Sequence, residues 1–246
     1  MKKLLSVFLV LSCLIALLSM VAFANDAVIG NAVTISTDDG IAAIDYAPDD
    51  FVPVEDPLRD FVPPSMDFLT QQQVTRSATK VLYVNEPCDQ DWQNKYPNNW
   101  MWQAHRVVIE SDHILEDKIG VQFYSKSQKY WNRSSTKAAD QLAEVKREWG
   151  LSGADMMIAF SAHIPGDAMG MAYTGTPYAI IFDYGYDANW GVGQHEVGHT
   201  YGLRDYCTGN SKDNCCGSGV CIMNGGNKDK ICSRCLNTLI ANKNKY

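Results

Sequence analysis

Two histidines four residues apart, His195 and His199, constrain this chain more than any other feature of its sequence. On a helix, residues at this spacing lie on one face, one turn apart, and two neutral imidazoles so placed can bind one zinc ion. Glu196 follows the first histidine, where H-E-x-x-H helices carry the general base for a metal-bound water. The pattern predicts a helix with a catalytic zinc site, although a surface helix with two solvated histidines has the same short signature.

A catalytic zinc site needs a third protein ligand. No glutamate follows Glu196 and no histidine follows His199, which excludes a glutamate ligand from a later helix. The carboxylates that remain downstream are Asp205, Asp213 and Asp229. Gly202 tolerates the left-handed turn that ends a helix, so the chain can fold back and aim Asp205 at the metal.

The run H-E-x-x-H-x-x-G-x-x-D over residues 195–205 resembles the metzincin metalloproteases, in the variant with an aspartate third ligand, as in the snapalysins. Cys221-Ile222-Met223-Asn224 resembles the family's Met-turn, in which a methionine packs beneath the metal site. The resemblance implies one Zn²⁺, with Glu196 as base and Met223 below the metal. The ligands that it implies are His195, His199 and Asp205. Two positions differ from other metzincins, since Asp205 replaces the commoner histidine and Gly225 stands where some members have a tyrosine.

The order of predicted elements between residues 80 and 242 is strand, helix, strand, helix, three strands and the metal helix. The first helix is predicted over residues 100–115, with His105 and His113 on its surface, and Asp187 or Asn189 could cap the metal helix. The last two strands before it, residues 170–173 and 178–182, flank a Gly-Thr-Pro turn. This order resembles the upper half of a metzincin catalytic domain, in a reprolysin-like arrangement. The implied fold class is α+β: a twisted, mostly parallel sheet with an antiparallel edge strand, an active-site helix, a Met-turn and a disulfide-rich C-terminal subdomain. In this family the edge strand holds the substrate peptide in extended form. The residues at the matching place are Gly170, Met171, Ala172 and Tyr173.

The N-terminus has the pattern of a secretory signal peptide. A short basic start, Met1-Lys2-Lys3, precedes an uncharged, mostly apolar stretch that ends in Ala22-Phe23-Ala24. We expect cleavage after Ala24 and a secreted, extracellular protein. The apolar stretch is also long enough for an uncleaved membrane anchor, which is the alternative.

Residues 25–78 differ in composition from the domain that follows, which we place at residues 79–246. Between Asn25 and Thr75 there are ten acidic residues, one arginine, five of the nine prolines and no cysteine. Such a segment is typical of a propeptide, which would make the protein a zymogen, or of a disordered spacer. The sequence leaves both open. The apolar pieces Val28–Ile35 and Phe61–Leu69 could dock on the domain.

Six of the eight cysteines lie between residues 207 and 235. Behind a secretory signal, this cluster predicts disulfide bonds that hold a Gly- and Asn-rich stretch in place of a core. The rival interpretation is a second, structural zinc that uses Cys232-x-x-Cys235 and the Cys215-Cys216 pair. Cys88 stands apart, and we disfavour it as an inhibitory thiolate because it follows a predicted domain strand.

These features predict a secreted zinc-dependent endopeptidase that acts on proteins or peptides. The formal net charge is −7 with no basic cluster, which argues against a nucleic-acid partner. No membrane partner is expected once the signal is cleaved, and the sequence does not indicate an oligomeric state. The alternatives are a non-catalytic binding or adhesion module on the same fold, and an aminopeptidase-like metzincin.

Overall fold

The computed structural model describes residues 41–43, 59–60, 79–166, 168–205, 221–223 and 230–246. All of these lie in the second of two units into which chain contacts divide the protein, residues 37–246. The predicted signal peptide, the apolar pieces 28–35 and 61–69, and Cys207, Cys215 and Cys216 lie outside the described residues.

A six-stranded sheet forms the centre of the described fold. Its strands are β1 (Ile41–Ala43), β2 (Lys80–Asp89), β3 (Val121–Trp131), β4 (Met156–Ser161), β5 (Gly170–Tyr173) and β6 (Tyr178–Phe182). Their order across the sheet is β1-β5-β6-β4-β2-β3. Strands β3, β2, β4 and β6 run parallel, β5 is antiparallel to β6, and β1 is antiparallel to β5. The predicted mostly parallel α+β sheet with an antiparallel strand is therefore confirmed.

Six helices are described: α1 (Gln90–Lys95), α2 (Trp100–Ser111), α3 (His113–Ile119), α4 (Ala138–Trp149), α5 (Tyr186–Thr200) and α6 (Ser233–Ala241). Helix α5 carries the H-E-x-x-H residues. It crosses α2 closely at Gly193, where a Cβ would clash with Ser111 Oγ, so glycine is what allows the close approach. Among the described helices, none combines the length and the apolar character that crossing a bilayer requires.

Alternation along the central strands divides the core between the two faces of the sheet. In β4, Met156, Ile158 and Phe160 belong to the cluster that packs with α2 and α5, whereas Met157 and Ala159 belong to the cluster that packs with α4. All five side chains are fully buried. A strand covered on both faces accounts for the continuous apolar run of residues 156–160.

Two details of the helices differ from the sequence prediction. The predicted helix over residues 100–115 is two helices, α2 and α3, separated at Asp112. The Asp112 carboxylate accepts a hydrogen bond from the Phe123 backbone N–H at 2.6 Å, which ties this break to the start of β3. Helix α5 begins after Gly185 rather than at an Asp187 or Asn189 cap. Instead Asn189 Oδ1 accepts from the Tyr184 backbone N–H at 2.9 Å and fixes the turn that enters the helix.

Candidate active site

Three side chains converge at the C-terminal end of α5. His195 Nε2 lies 3.0 Å from His199 Nε2, and Asp205 Oδ1 lies 3.0 Å from the first nitrogen and 3.3 Å from the second. Tetrahedral bonds of about 2.0–2.2 Å to a zinc ion separate its ligand atoms by roughly 3.3–3.6 Å. The observed distances lie at or about 0.3 Å below this spacing, and the two nitrogens and one oxygen are ligand types that zinc prefers, so these residues fit a zinc ion after small shifts.

The chain returns to the site through a helix-ending turn at Gly202. The Gly202 N–H donates to the His199 carbonyl at 2.8 Å, and the Leu203 N–H donates to the Gly198 carbonyl at 3.0 Å. With a φ of +88° at Gly202, this is a Schellman motif. The predicted role of Gly202 is confirmed, and the motif reverses the chain within three residues of Asp205.

Backbone carbonyls orient both imidazoles. His195 Nδ1 lies 2.8 Å from the Ile222 carbonyl, and His199 Nδ1 lies 2.8 Å from the Leu203 carbonyl. A carbonyl only accepts, so each Nδ1 carries a proton, and each Nε2 is the nitrogen that a metal ion at the shared point would bind in the neutral imidazole. Sequence reasoning missed these two supports, because a backbone carbonyl has no side-chain signature.

Asp205 and the imidazoles affect each other's charge. Burial works to lower the pKa of His195, but the hydrogen bond and the negative charge of Asp205 raise it to about 9. Burial in turn works to raise the pKa of Asp205, and its bonds to the two imidazoles outweigh that and hold it far below its usual range. The two imidazoles and the Asp205 carboxylate therefore interact electrostatically, and the carboxylate is the most exposed of the three side chains.

Glu196 is fully buried beside this group. Neither of its carboxylate oxygens has a hydrogen-bond partner among the described residues. Burial raises the pKa of Glu196 well above its usual range, against a smaller opposing effect of His195. A carboxyl group with a raised pKa, next to a candidate metal site and not engaged elsewhere, can take up and release a proton.

Strand β5 runs directly against Glu196. A Cβ on Gly170 would lie 2.6 Å from Val192 Cγ1 and 2.8 Å from Glu196 Oε1, so only glycine allows the strand this close to α5. At the far end of the strand, the Gly175 N–H donates to the His199 carbonyl at 2.8 Å. Residues 170–173 thus lie beside the candidate base, at the place predicted for a substrate-binding strand.

The free edge expected at β5 is occupied, which corrects one expectation from the sequence. Strand β1 pairs with it antiparallel, placing Ile41 opposite Tyr173, Ala42 opposite Ala172 and Ala43 opposite Met171. A second contact from the same acidic segment involves the Arg59 carbonyl, which accepts from Asn99 Nδ2 at 2.6 Å and from Gln103 Nε2 at 2.8 Å. Sequence reasoning missed both contacts, because neither leaves a specific pattern in the sequence.

Met223 lies below α5, on the side of Gly198. A Cβ on Gly198 would approach Met223 Sδ to 2.7 Å, and the methionine is 1% exposed. The preceding residue, Ile222, supplies the carbonyl that contacts His195. The segment 221–223 therefore supports the helix in two ways, through a buried side chain and through one backbone oxygen.

The described cysteines differ from the disulfide prediction. Cys221, Cys232 and Cys235 carry thiols that are not joined in disulfides. Their sulfur atoms lie within 4.8 Å of one another, all three buried. Three sulfurs around one point can form at most one disulfide with each other; the structure shows none among these three, and the disulfide framework stays a prediction.

The remaining histidines and Cys88 lie outside the candidate site. Cys88 is fully buried in the core at the end of β2, and burial raises the pKa of its thiol. His105, predicted to lie on a helix surface, is instead 2% exposed, with its Nδ1 3.9 Å from Glu86 Oε1. His113 is exposed, as expected, and His163 is half-buried.

Comparison with known proteins gives a family for most of the described chain. The profile of the family "Reprolysin_5: Metallo-peptidase family M12" matches residues 81–233, more than half of the 246 residues. A solved structure described as "Structure of a chaperone-substrate complex" is 13% identical, with a TM-score of 0.49; the match covers 67% of this chain and 38% of that one. At this TM-score the likeness carries no argument. No curated protein matches the chain.

The family match spans β2 from its second residue, strands β3 to β6 and the whole of α5. It confirms the coarser part of the resemblance found in the sequence, a metzincin-like metallopeptidase. Members of this family are zinc-dependent in general and act on proteins or peptides. The chain belongs to the metallopeptidase family M12.

Proposed function

We propose that the chain is a secreted zinc endopeptidase in which His195, His199 and Asp205 bind one catalytic zinc ion. The observation that carries this proposal is the convergence of two Nε2 atoms and one carboxylate oxygen within 3.3 Å, next to the buried Glu196. Aspartate as third ligand is the snapalysin-like feature. Because a carboxylate is charged, this site has less net positive charge than a three-histidine site.

When bound, zinc would polarise a scissile carbonyl and make a water molecule more acidic. Glu196 would accept the proton of that water at one carboxylate oxygen and then give it to the leaving amine. Its burial supports this role, because a raised pKa lets the group hold the proton between the two transfers. The peptide would lie along β5, in backbone pairing that grips an extended chain without reading its sequence.

Replacing Glu196 separates catalysis from metal binding. Glu196→Gln should retain zinc and lose about 10²–10⁴-fold or more in turnover of a casein-type substrate. The matched control is Glu144→Gln, the same change at another buried glutamate, on α4. Equal activity of the two variants would contradict the role of Glu196, and a wild-type protein that binds peptides without cleaving them would favour the binding module.

Asp205→Ala tests the third ligand. We expect zinc affinity to fall by more than about 100-fold, because even changes in residues that only orient metal ligands cost 10–100-fold. Asp213→Ala and Asp229→Ala are the controls and should keep wild-type affinity. Asp205→His should restore binding, since imidazole also suits zinc. Full zinc occupancy and normal turnover in Asp205→Ala would refute the assignment.

A peptide with a blocked amino terminus distinguishes the two peptidase classes. An endopeptidase cleaves within an acetylated peptide, whereas an aminopeptidase-like enzyme requires the free amine. Sequencing the N-terminus of the exported protein tests secretion. A start at Asn25 supports cleavage after Ala24, and a retained Met1 supports the anchor.

We propose further that residues 25–78 act as an inhibitory propeptide rather than a spacer. Support comes from β1, which pairs along the outer side of β5, where the substrate peptide would otherwise pair. The hydrogen bonds from Asn99 and Gln103 to the Arg59 carbonyl provide a second attachment at the start of α2. Ten acidic residues elsewhere in the segment would keep it soluble after release.

Proline substitutions in β1 test this inhibition. In an antiparallel ladder, alternate residues direct their N–H groups toward the partner strand, so either Ile41→Pro or Ala42→Pro removes such a donor. At least one should raise the initial activity of the intact chain toward that of the chain trimmed before residue 79. Gln72→Pro, in the same segment outside β1, is the control. Equal activity of the intact and trimmed chains would support a spacer.

A further inference from the structure

A cluster of three buried cysteines lies between the segment 221–223 and helix α6. The exposed fractions are 0% for Cys221, 8% for Cys232 and 0% for Cys235, and their sulfur atoms all lie within 4.8 Å of one another. Tetrahedral zinc with bonds of about 2.3 Å to sulfur separates thiolates by roughly 3.8 Å. Three sulfur atoms within 4.8 Å of one another are close enough that shifts of about 1 Å or less would bring them to this spacing around one zinc ion.

A disulfide explains this arrangement less well than a metal. One disulfide needs a sulfur–sulfur bond of about 2.0 Å and would leave the third thiol buried against it. No two of these cysteines are bonded. Three soft sulfur ligands around one point are the chemistry that selects zinc over harder cations.

The start of α6 is arranged to favour negative charge on sulfur. Cys232 is the N-cap residue of this nine-residue helix, and its Sγ accepts a hydrogen bond from the Cys235 backbone N–H at 3.5 Å. The N-terminal end of a helix stabilises a nearby thiolate. Lys230 and Arg234 add positive charge on either side in the sequence. A Cys-x-x-Cys pair at a helix start thus presents two sulfurs to the third one, on Cys221.

We propose that Cys221, Cys232 and Cys235 bind a second, structural zinc ion through their thiolates. Its position explains how the short segment 221–223 is held against α5. Cys221 directly precedes Ile222, whose carbonyl contacts His195 and whose N–H donates to the Lys230 carbonyl at 2.7 Å. The second zinc would join the segment below the catalytic helix to the C-terminal helix, and so hold that carbonyl in place.

Metal content and sulfur coordination test the proposal on the intact, zinc-loaded chain. We expect two zinc ions per chain, with zinc X-ray absorption showing both sulfur and nitrogen or oxygen scatterers. His199→Ala should retain one ion, now coordinated mainly by sulfur. Cys235→Ser should lose the sulfur-coordinated ion, and the matched control Cys88→Ser, another fully buried cysteine, should keep both.

Two outcomes overturn the proposal. Wild-type protein with a single zinc and no sulfur scattering would do so, as would a disulfide between any two of the three cysteines in peptide mapping without reductant. If Cys235→Ser fails to fold, the wild-type and His199→Ala spectra still decide. The sulfur coordination number also shows whether a fourth cysteine joins the site, since the sequence holds Cys207, Cys215 and Cys216 outside the described residues.

Discussion

The contact between Gly198 and Met223 offers a quantitative test of how the segment below the metal helix supports the site. A Cβ added at Gly198 would lie 2.7 Å from Met223 Sδ and 3.2 Å from Leu203 Cδ1. Ordinary carbon contacts lie at 3.4–4 Å, so the methionine must move by about 0.7–1.3 Å. Gly198→Ala is therefore an overpacking substitution on a helix that otherwise gains from alanine.

Two opposing effects set the size of the change. Overpacking a dense core costs about 1–3 kcal/mol, and replacing glycine by alanine within a helix gains about 1 kcal/mol. We expect Gly198→Ala to lower the free energy of unfolding by about 0–2 kcal/mol. Met223→Ala, which leaves a cavity, should lower it by about 2–5 kcal/mol.

The double variant separates this mechanism from unrelated damage. Because Met223→Ala removes the sulfur that the new Cβ would meet, the double variant should be less destabilised than the sum of the single variants by about 1–3 kcal/mol. Urea unfolding in the presence of chelator measures all four proteins without the contribution of bound metal. Strictly additive changes would refute the reasoning.

A functional effect should accompany the strain. Moving Met223 also shifts the Ile222 carbonyl, which lies 2.8 Å from His195 Nδ1. Loss of such an orienting contact lowers metal affinity by about 10–100-fold. We expect a zinc affinity change of this order in Gly198→Ala, partly restored in the double variant, as measured by competition with a chromogenic chelator.

Substitutions at three further positions test other parts of the structure. Gly170→Ala should displace Glu196 and lower kcat by about 10²-fold, the cost of a misplacement near 1 Å, with zinc content unchanged by elemental analysis. Gly202 has a φ of +88°, so Gly202→Ala should lower the free energy of unfolding by about 1–2 kcal/mol and weaken zinc binding. Gly202→Asn should lower it less, since asparagine tolerates this conformation. Unfolding curves measure both variants. Burial works to raise the pKa of Glu144, but hydrogen bonds from Ser134 and Ser135 lower it below its usual value of 4.5. The stability that it contributes is thus present above about pH 4.5 and lost as the pH falls through the folded pKa, so Glu144→Gln should flatten the acid limb of an unfolding titration.

The sequence by itself determined the elements whose signals are local. The bounds of β5 and β6 agree with prediction because both strands flank a Gly-Thr-Pro turn with short apolar runs. The end of α5 agrees because Gly202 is a residue that tolerates the required left-handed backbone. The residues of the candidate metal site were predictable for a similar reason, since the spacing of His195 and His199 places them on one helix face and the inventory left few third ligands.

Tertiary structure alone decided how distant segments meet. Nothing in Ile41-Ala42-Ala43 specifies pairing with β5, because backbone hydrogen bonds accept almost any extended chain. The burial of His105 beside Glu86 likewise depends on the packing of α2 over the sheet. The three cysteines come together only because the segment 221–223 and the start of α6 lie side by side. The spacing of these cysteines along the chain does not give the distance between their sulfur atoms. Sequence patterns show which residues share one helix or strand. Contacts between helices and strands depend on the packing of the whole core. The pairing of β1 with β5 and the cysteine cluster are contacts between such elements.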